Sequence, residues 1–267
     1  MSYNKILSVV NEHTVSTVIA RYAISMAASC KAALVLYGAH DAGSNETVLR
    51  HLDRHLEQLV TDASALGIPV TQIIEIGNIN ALLPKRVEAE KADLVFFPFM
   101  PFKRYGADLA RHMVHQLQRT ITSDLAIMRV IAMVKPHPAR ILVPLGRCDG
   151  NMERRQVFVT ELANCFHAQV TLFHLANERG MMVMPDGAIH FREHLQQQEV
   201  SVLERLGTGH IGDAIAVEAV TRHNDLIVMG ASEHGVLRKL LFGNPSGEVM
   251  RHPPCNTIIF RHATDKL

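Results

Sequence analysis

The chain has 267 residues, a length that holds one large domain or two of ordinary size. Hydrophobic residues make up 48% and charged residues 20%, which excludes a mainly disordered or coiled-coil protein. With 27 Lys and Arg against 26 Asp and Glu the net charge is +1, so no basic surplus points to nucleic acid or an anionic lipid surface.

The first residues contain only a short apolar run, Ile6 to Val10, and lack the longer apolar region and small-residue cleavage site of a secretory signal. No stretch reaches the roughly 18 apolar residues of a membrane-spanning helix, so a cytoplasmic location is expected. Short runs rich in Val, Ile and Leu predict strands over 5–10, 33–37, 71–76, 93–97 and 124–130. Helical periodicity fills 17–29, 46–66, 80–90 and 108–121 between them. The same order then returns, with strands over 140–145, 169–174, 201–206, 225–229 and 257–261 and helices over 152–166, 189–199, 211–223 and 245–251.

The return is visible in the residues. Lys5-Ile6-Leu7 matches Arg140-Ile141-Leu142 at a separation of 135, while Asp93-Leu94-Val95 matches Asp225-Leu226-Ile227 at 132. Gly77 and Gly209, and Ile127-Met128-Arg129 and Ile259-Phe260-Arg261, keep the separation of 132. Two tandem domains are therefore expected, over 1–134 and 139–264, joined where Pro136 and Pro138 interrupt regular structure. Near-continuous apolar strands separated by crossover helices predict α/β folding, with each copy a five-stranded doubly wound parallel sheet covered on both faces. Such sheets bind ligands beyond the carboxyl ends of their strands at the switch point, which directs attention to the loops after the first and fourth strand of each copy.

After the fourth strand of the second copy the chain runs Met229-Gly230, then Glu233, Gly235 and Gly243-Asn244-Pro245-Ser246, and it closes on His252-Pro253-Pro254-Cys255 before the last strand. The 13-residue separation of Gly230 from Gly243, the strand before it, the closing turn and the repeat together resemble the universal stress protein family. The resemblance implies an adenine nucleotide alpha hydrolase-like fold and a site for ATP or another adenine nucleotide, with Mg, formed by Pro144, Leu145, Gly146, Met229, Gly230, Gly235, Gly243, Asn244, Pro245 and Ser246. Glu233 stands where the family has its middle glycine, Asn244 where it has Ser or Thr, and Gly146 where an Asp contacts the nucleoside; Asp149 lies three residues on. A glycine lets the backbone approach phosphate closely, and free N–H groups at a helix start favour anions. Arg238 and Lys239 add positive charge, whereas Glu233 opposes it. The alternative is that Gly230 and Gly243 only shape tight loops and Asn244-Pro245 only caps a helix.

In the first copy the matching positions are Asn11 after the first strand and Pro98 and Arg111 at the outer glycines, inside a loop that also holds Lys103, Arg104 and Tyr105. That copy is expected not to bind nucleotide in the family manner. The resemblance further implies an intrachain pseudo-dimer through the last strand of each copy, compatible with a homodimer, and a regulatory role in stress response through an unidentified protein client. Hydrolysis of ATP, where present, would be slow; no catalytic residue is assigned. The competing expectation is a nucleotide-independent interaction module of the kind that would regulate a transporter.

Other chemistry finds little footing. Cys30, Cys148, Cys165 and Cys255 form no Cys-x-x-Cys pair and are expected to stay reduced. His51 with His55, and His190 with His194, share helix faces but lack a third ligand at fixed spacing. Met181 to Met184 with Pro185-Asp186-Gly187 reads as a loop. Neither a Gly-x-Ser-x-Gly elbow nor a P-loop occurs.

Overall fold

Strand β1 (Lys5–Val10) is buried over five of its six residues, which a strand achieves only with cover on both faces. The structure, a computed structural model, describes residues 2–100, 116–131, 137–146, 152–175, 184–230 and 253–263. The chain divides into two compact units, Met1–Pro136 together with Arg261–Leu267, and His137–Phe260.

In the first unit β1 is followed by α1 (Thr14–Cys30), β2 (Ala33–His40), α2 (Glu46–Ala65), β3 (Val70–Ile76), α3 (Ile79–Glu90), β4 (Leu94–Pro98) and β5 (Asp124–Arg129). The strands lie in the order β3-β2-β1-β4-β5, and every described pair is parallel. Helix α1 is apolar almost all round and buries ten residues, while α2 buries one stripe, Leu52, Leu56, Leu59 and Ala63. Asn45 caps α2 by accepting the N–H of Val48 (3.0 Å).

The second unit repeats the plan with β6 (Arg140–Leu145), α4 (Glu153–Phe166), β7 (Gln169–Leu175), α5 (Asp186–Gln197), β8 (Val202–Gly207), α6 (Ile211–Thr221), β9 (Leu226–Gly230) and β10 (Asn256–Arg261). Its strands follow the order β10-β9-β6-β7-β8, again parallel in every described pair. One sheet face packs Leu142, Phe173, Ile227, Met229 and Cys255 against Ile215 and Ala219 of α6. On the other face Phe158 of α4 stacks on Phe260, with ring centroids 4.4 Å apart.

Most expected elements form within a few residues of their expected ends, with two informative exceptions. Helix α1 starts at Thr14 rather than residue 17. Helix α5 starts at Asp186 rather than residue 189, so Pro185-Asp186-Gly187 is a helix start instead of a loop. Asp186 suits a first turn, where a carboxylate meets the positive end of the helix dipole. Gly187 fits because the Met152 side chain lies across it: a Cβ there would come within 2.2 Å of Met152 Cε. The expected helix over 108–121 is described only at 116–121, of which 116–120 are helical, and the expected helix over 245–251 lies outside the described residues.

The two units share their backbone exceptions even where the residue types differ. Left-handed residues end the first helix of each at Lys31 (φ 55°) and His167 (φ 51°). They recur at Gly67 (71°) and Glu199 (59°), at Gly77 (141°) and Gly209 (103°), and at Lys91 (53°) and His223 (52°). The repeated aspartates have a structural task. Asp93 accepts the N–H groups of Asn4 (2.8 Å) and Lys5 (3.2 Å), and Asp225 those of Ala139 (3.0 Å) and Arg140 (3.1 Å). Each carboxylate thus caps the amino end of its unit's first strand, the edge opposite the expected site.

Candidate functional site

In each unit the winding reverses between the first and fourth strands, so the switch point of the second unit lies between β6 and β9. The two strands pair only at Ile141↔Leu226 and Leu142↔Ile227. In the first unit β1 and β4 pair one step further, through Ser8↔Phe96. Proline explains the difference. Successive residues of a strand turn their N–H and C=O groups to opposite neighbours; the Ala139 carbonyl accepts from Gln169 of β7 and the Arg140 carbonyl from Asp225 beside β9. Residues 142 and 144 therefore address β9, and Pro144 has no N–H to give Val228. The ladder stops there, and the carboxyl ends of β6 and β9 are released from each other.

The first unit has its proline on the other strand. Phe99 N–H donates to Met128 of β5 (2.8 Å), so Pro98 addresses β1 and withholds a donor from the Val9 carbonyl. The loop after β1 is closed by its own hydrogen bonds. Asn11 Oδ1 accepts the His13 N–H (3.0 Å), and the Asn11 N–H donates to Ser16 Oγ (3.0 Å). The Asn11 carbonyl accepts from Ser16 Oγ (3.1 Å) and from His55 Nδ1–H (2.9 Å). The side-chain oxygen of Asn11, at the position that matches Gly146, is engaged in this turn.

Beyond β6, Leu145 is buried and Gly146 exposed. The Leu145 carbonyl accepts from Nδ1–H of the buried His174 (2.9 Å), which fixes the imidazole tautomer. Register places Leu145, His174 and Gly230 on the face covered by α4, whereas Met229 points to the other face, toward α6. At Gly230 a Cβ would lie 2.5 Å from Nη1 of Arg155. Arg155 stands in the first turn of α4 and is 6% exposed. Its Nη2 donates toward Met152 Sδ (3.3 Å).

Of the expected site residues, Pro144, Leu145, Gly146, Met229 and Gly230 gather at this strand edge, with Pro144 and Met229 on the α6 side and Leu145 on the α4 side. Gly235, Gly243, Asn244, Pro245 and Ser246 lie outside the described residues, as do Glu233, Arg238, Lys239 and Asp149. Lys103, Arg104, Tyr105 and Arg111 of the first copy also lie outside them. Arg155 and His174 are additions from the structure. The sequence signal for Arg155 was within reach: counted back from the matching helix ends Lys31 and His167, its counterpart is Ile19, a fully buried aliphatic residue.

Three further features bear on chemistry. Burial, then the charge of Asp225, pushes the Cys255 thiol up to about 12, so it is protonated at neutral pH. Among the described residues no three His, Cys, Asp or Glu side chains converge to hold a metal ion. None of the described helices is long and apolar enough to cross a membrane.

The universal stress protein family model matches residues 139–261. A universal stress protein from Archaeoglobus fulgidus DSM 4304 aligns over 98% of this chain and 97% of its own, with a TM-score of 0.68 at 13% identity. A functionally unknown protein from Pseudomonas aeruginosa PAO1 aligns over 98% and 93%, with a TM-score of 0.64 at 13% identity. The cytoplasmic domain of a prokaryotic cation chloride cotransporter aligns over 99% and 97%, with a TM-score of 0.61 at 12% identity. At these identities the likeness shows the fold. No curated protein matches the sequence. Residues 139–261 thus match the universal stress protein family, and the first half of the chain is wound in the same strand order.

Proposed function

We propose that this universal stress protein is a ligand-responsive regulator whose second unit takes an adenine nucleotide at the carboxyl ends of β6 and β9. One observation carries the proposal: Pro144 ends the β6–β9 ladder at Leu142↔Ile227, directly before the exposed Gly146 and opposite Gly230. A released strand pair at a switch point, flanked by residues without Cβ atoms, supports close approach of a ligand to backbone. The segment holding Gly235, Gly243, Asn244, Pro245 and Ser246 follows β9 in the sequence and would contribute the phosphate contacts, with Mg offsetting the repulsion between Glu233 and phosphate. The first unit, with Asn11 engaged in its own turn and Pro98 at the glycine position, serves as a structural partner without a site of this kind. Action through a protein client in the cytoplasm, as a pseudo-dimer or a homodimer, is part of the same proposal, and turnover of ATP is not required by it.

Calorimetric titration of the full chain with ATP, ADP and AMP, with and without magnesium, tests this reading. Saturable binding is expected, weakened in Pro144→Val, which restores the missing ladder donor. Absence of saturable binding at millimolar nucleotide would overturn the proposal. The second reading is a nucleotide-independent interaction module. It is favoured by the full-length likeness to a transporter's cytoplasmic domain and by Gly146 in place of a carboxylate.

A further inference from the structure

The repeat supplies an internal control for the described residues at the switch point, and at Arg155 the two units differ in charge. The first unit has Ile19 at that helix position, fully buried, and Pro98 at the strand position of Gly230. The second unit has a guanidinium in place of the aliphatic chain and a glycine in place of the proline. A side chain at 230 would start 2.5 Å from Arg155 Nη1, so the guanidinium keeps its present place only because residue 230 has no Cβ. A cation has thus been brought to the carboxyl end of β9, on the α4 side of the sheet, beside the strand ends that Pro144 releases.

We propose that Arg155 is the anion-recognition residue of the second unit and that the group it takes is a phosphate or phosphate ester. This deepens the nucleotide reading and rests on it for the place of the ligand. A guanidinium presents five N–H donors in a planar fork that matches two phosphate oxygens, so a ligand can be accommodated beside protein partners of the same side chain. Low exposure strengthens such a bond, because little water competes for either partner. The near-neutral net charge of +1 offers no diffuse positive field, so recognition of an anion falls to placed groups of this kind.

The test uses the full chain with Arg155→Ile, the first unit's own residue, and Arg155→Lys, which keeps the charge without the fork. Inorganic phosphate, AMP, ATP and adenosine are titrated by calorimetry, and thermal midpoints are recorded. Wild type is expected to bind AMP and ATP more tightly than adenosine. Arg155→Ile should reduce both to the adenosine level, a loss of about tenfold to a hundredfold, while adenosine is unchanged and the thermal midpoint is equal or higher. Arg155→Lys should fall between. Binding of phosphate as well as AMP would assign the site to the phosphate group alone, and binding of AMP without phosphate to a phosphate presented on a nucleoside; both support the role of Arg155. If wild type binds no nucleotide, the nucleotide reading falls and this assignment with it. If wild type binds and Arg155→Ile binds ATP equally, the assignment alone falls. It also falls if Arg155→Ile lowers the midpoint by several degrees while Arg155→Lys binds like wild type, since Arg155 would then be a structural cation.

Discussion

Tyr3 and Ala263 stand near opposite ends of the chain and bond to one carboxylate. Tyr3 Oη–H donates to Asp124 Oδ2 and Ala263 N–H to Asp124 Oδ1, both at 2.9 Å. Beside them Arg261, 2% exposed, donates to the carbonyl oxygens of Ile121 (2.6 Å), Ser123 (2.8 Å) and His262 (2.9 Å). All of these residues belong to the first unit, although Arg261 is the last residue of β10 and His262 and Ala263 follow it.

The carboxyl-terminal residues are therefore expected to stabilise the first unit selectively. Asp124→Ala removes the acceptor of the buried Tyr3 hydroxyl and of the part-buried Ala263 N–H and should cost about 2–4 kcal/mol. Hydrogen exchange followed by residue should show β1 and β5 losing protection before β6 and β7. Equal loss in both units would contradict the assignment of this segment.

Glu199 holds a left-handed conformation that Gly67 supplies in the first unit. A Cβ in that region costs about 1 kcal/mol, which glycine avoids, although its freer unfolded chain returns part of the gain. Glu199→Gly is expected to raise stability by about 0.5–1 kcal/mol in urea unfolding. A destabilised variant would show that Glu199 makes a compensating contact.

Acid should weaken the first unit through Glu75. A hydrogen bond from Arg86, then one from Tyr37 (2.7 Å), holds this carboxyl below its ordinary range. Because the folded value is the lower one, the contribution is present above the unfolded value, about 4.3, and is lost as pH falls through the folded value. Urea midpoints between pH 3 and 6 should fall less steeply in Glu75→Gln than in wild type.

Cys255 should resist alkylation in the native state at pH 8, while Cys30 and Cys165, both less buried, react first. The raised folded value means that above about pH 8.5 the unfolded state binds fewer protons, so stability declines there. Mass spectrometry after iodoacetamide treatment, with and without urea, checks the order; labelling of Cys255 at the same rate as Cys30 would contradict its burial.

Much of the fold was legible because it depends on local pattern. Apolar runs of strand length, helical periodicity between them and the paired motifs at Asp93 and Asp225 define two α/β units, since each signal lies within a few consecutive residues. The glycine Gly230, Pro144 and Gly146 could likewise be singled out by spacing and family resemblance. Their roles could not. That Pro144 faces β9, while Pro98 faces β1, depends on which neighbour each residue's N–H addresses, a property of strand order and register. The contact of Arg155 with Gly230, 75 positions apart, and the meeting of Tyr3 with Ala263 through Asp124 exist only when distant segments pack. Sequence by itself determined the elements and their repetition, because hydrophobic period and backbone preference are local. Tertiary structure alone decided which neighbour each switch-point proline addresses and where a guanidinium meets the end of β9, because hydrogen-bond direction and burial are set by neighbours remote in the chain.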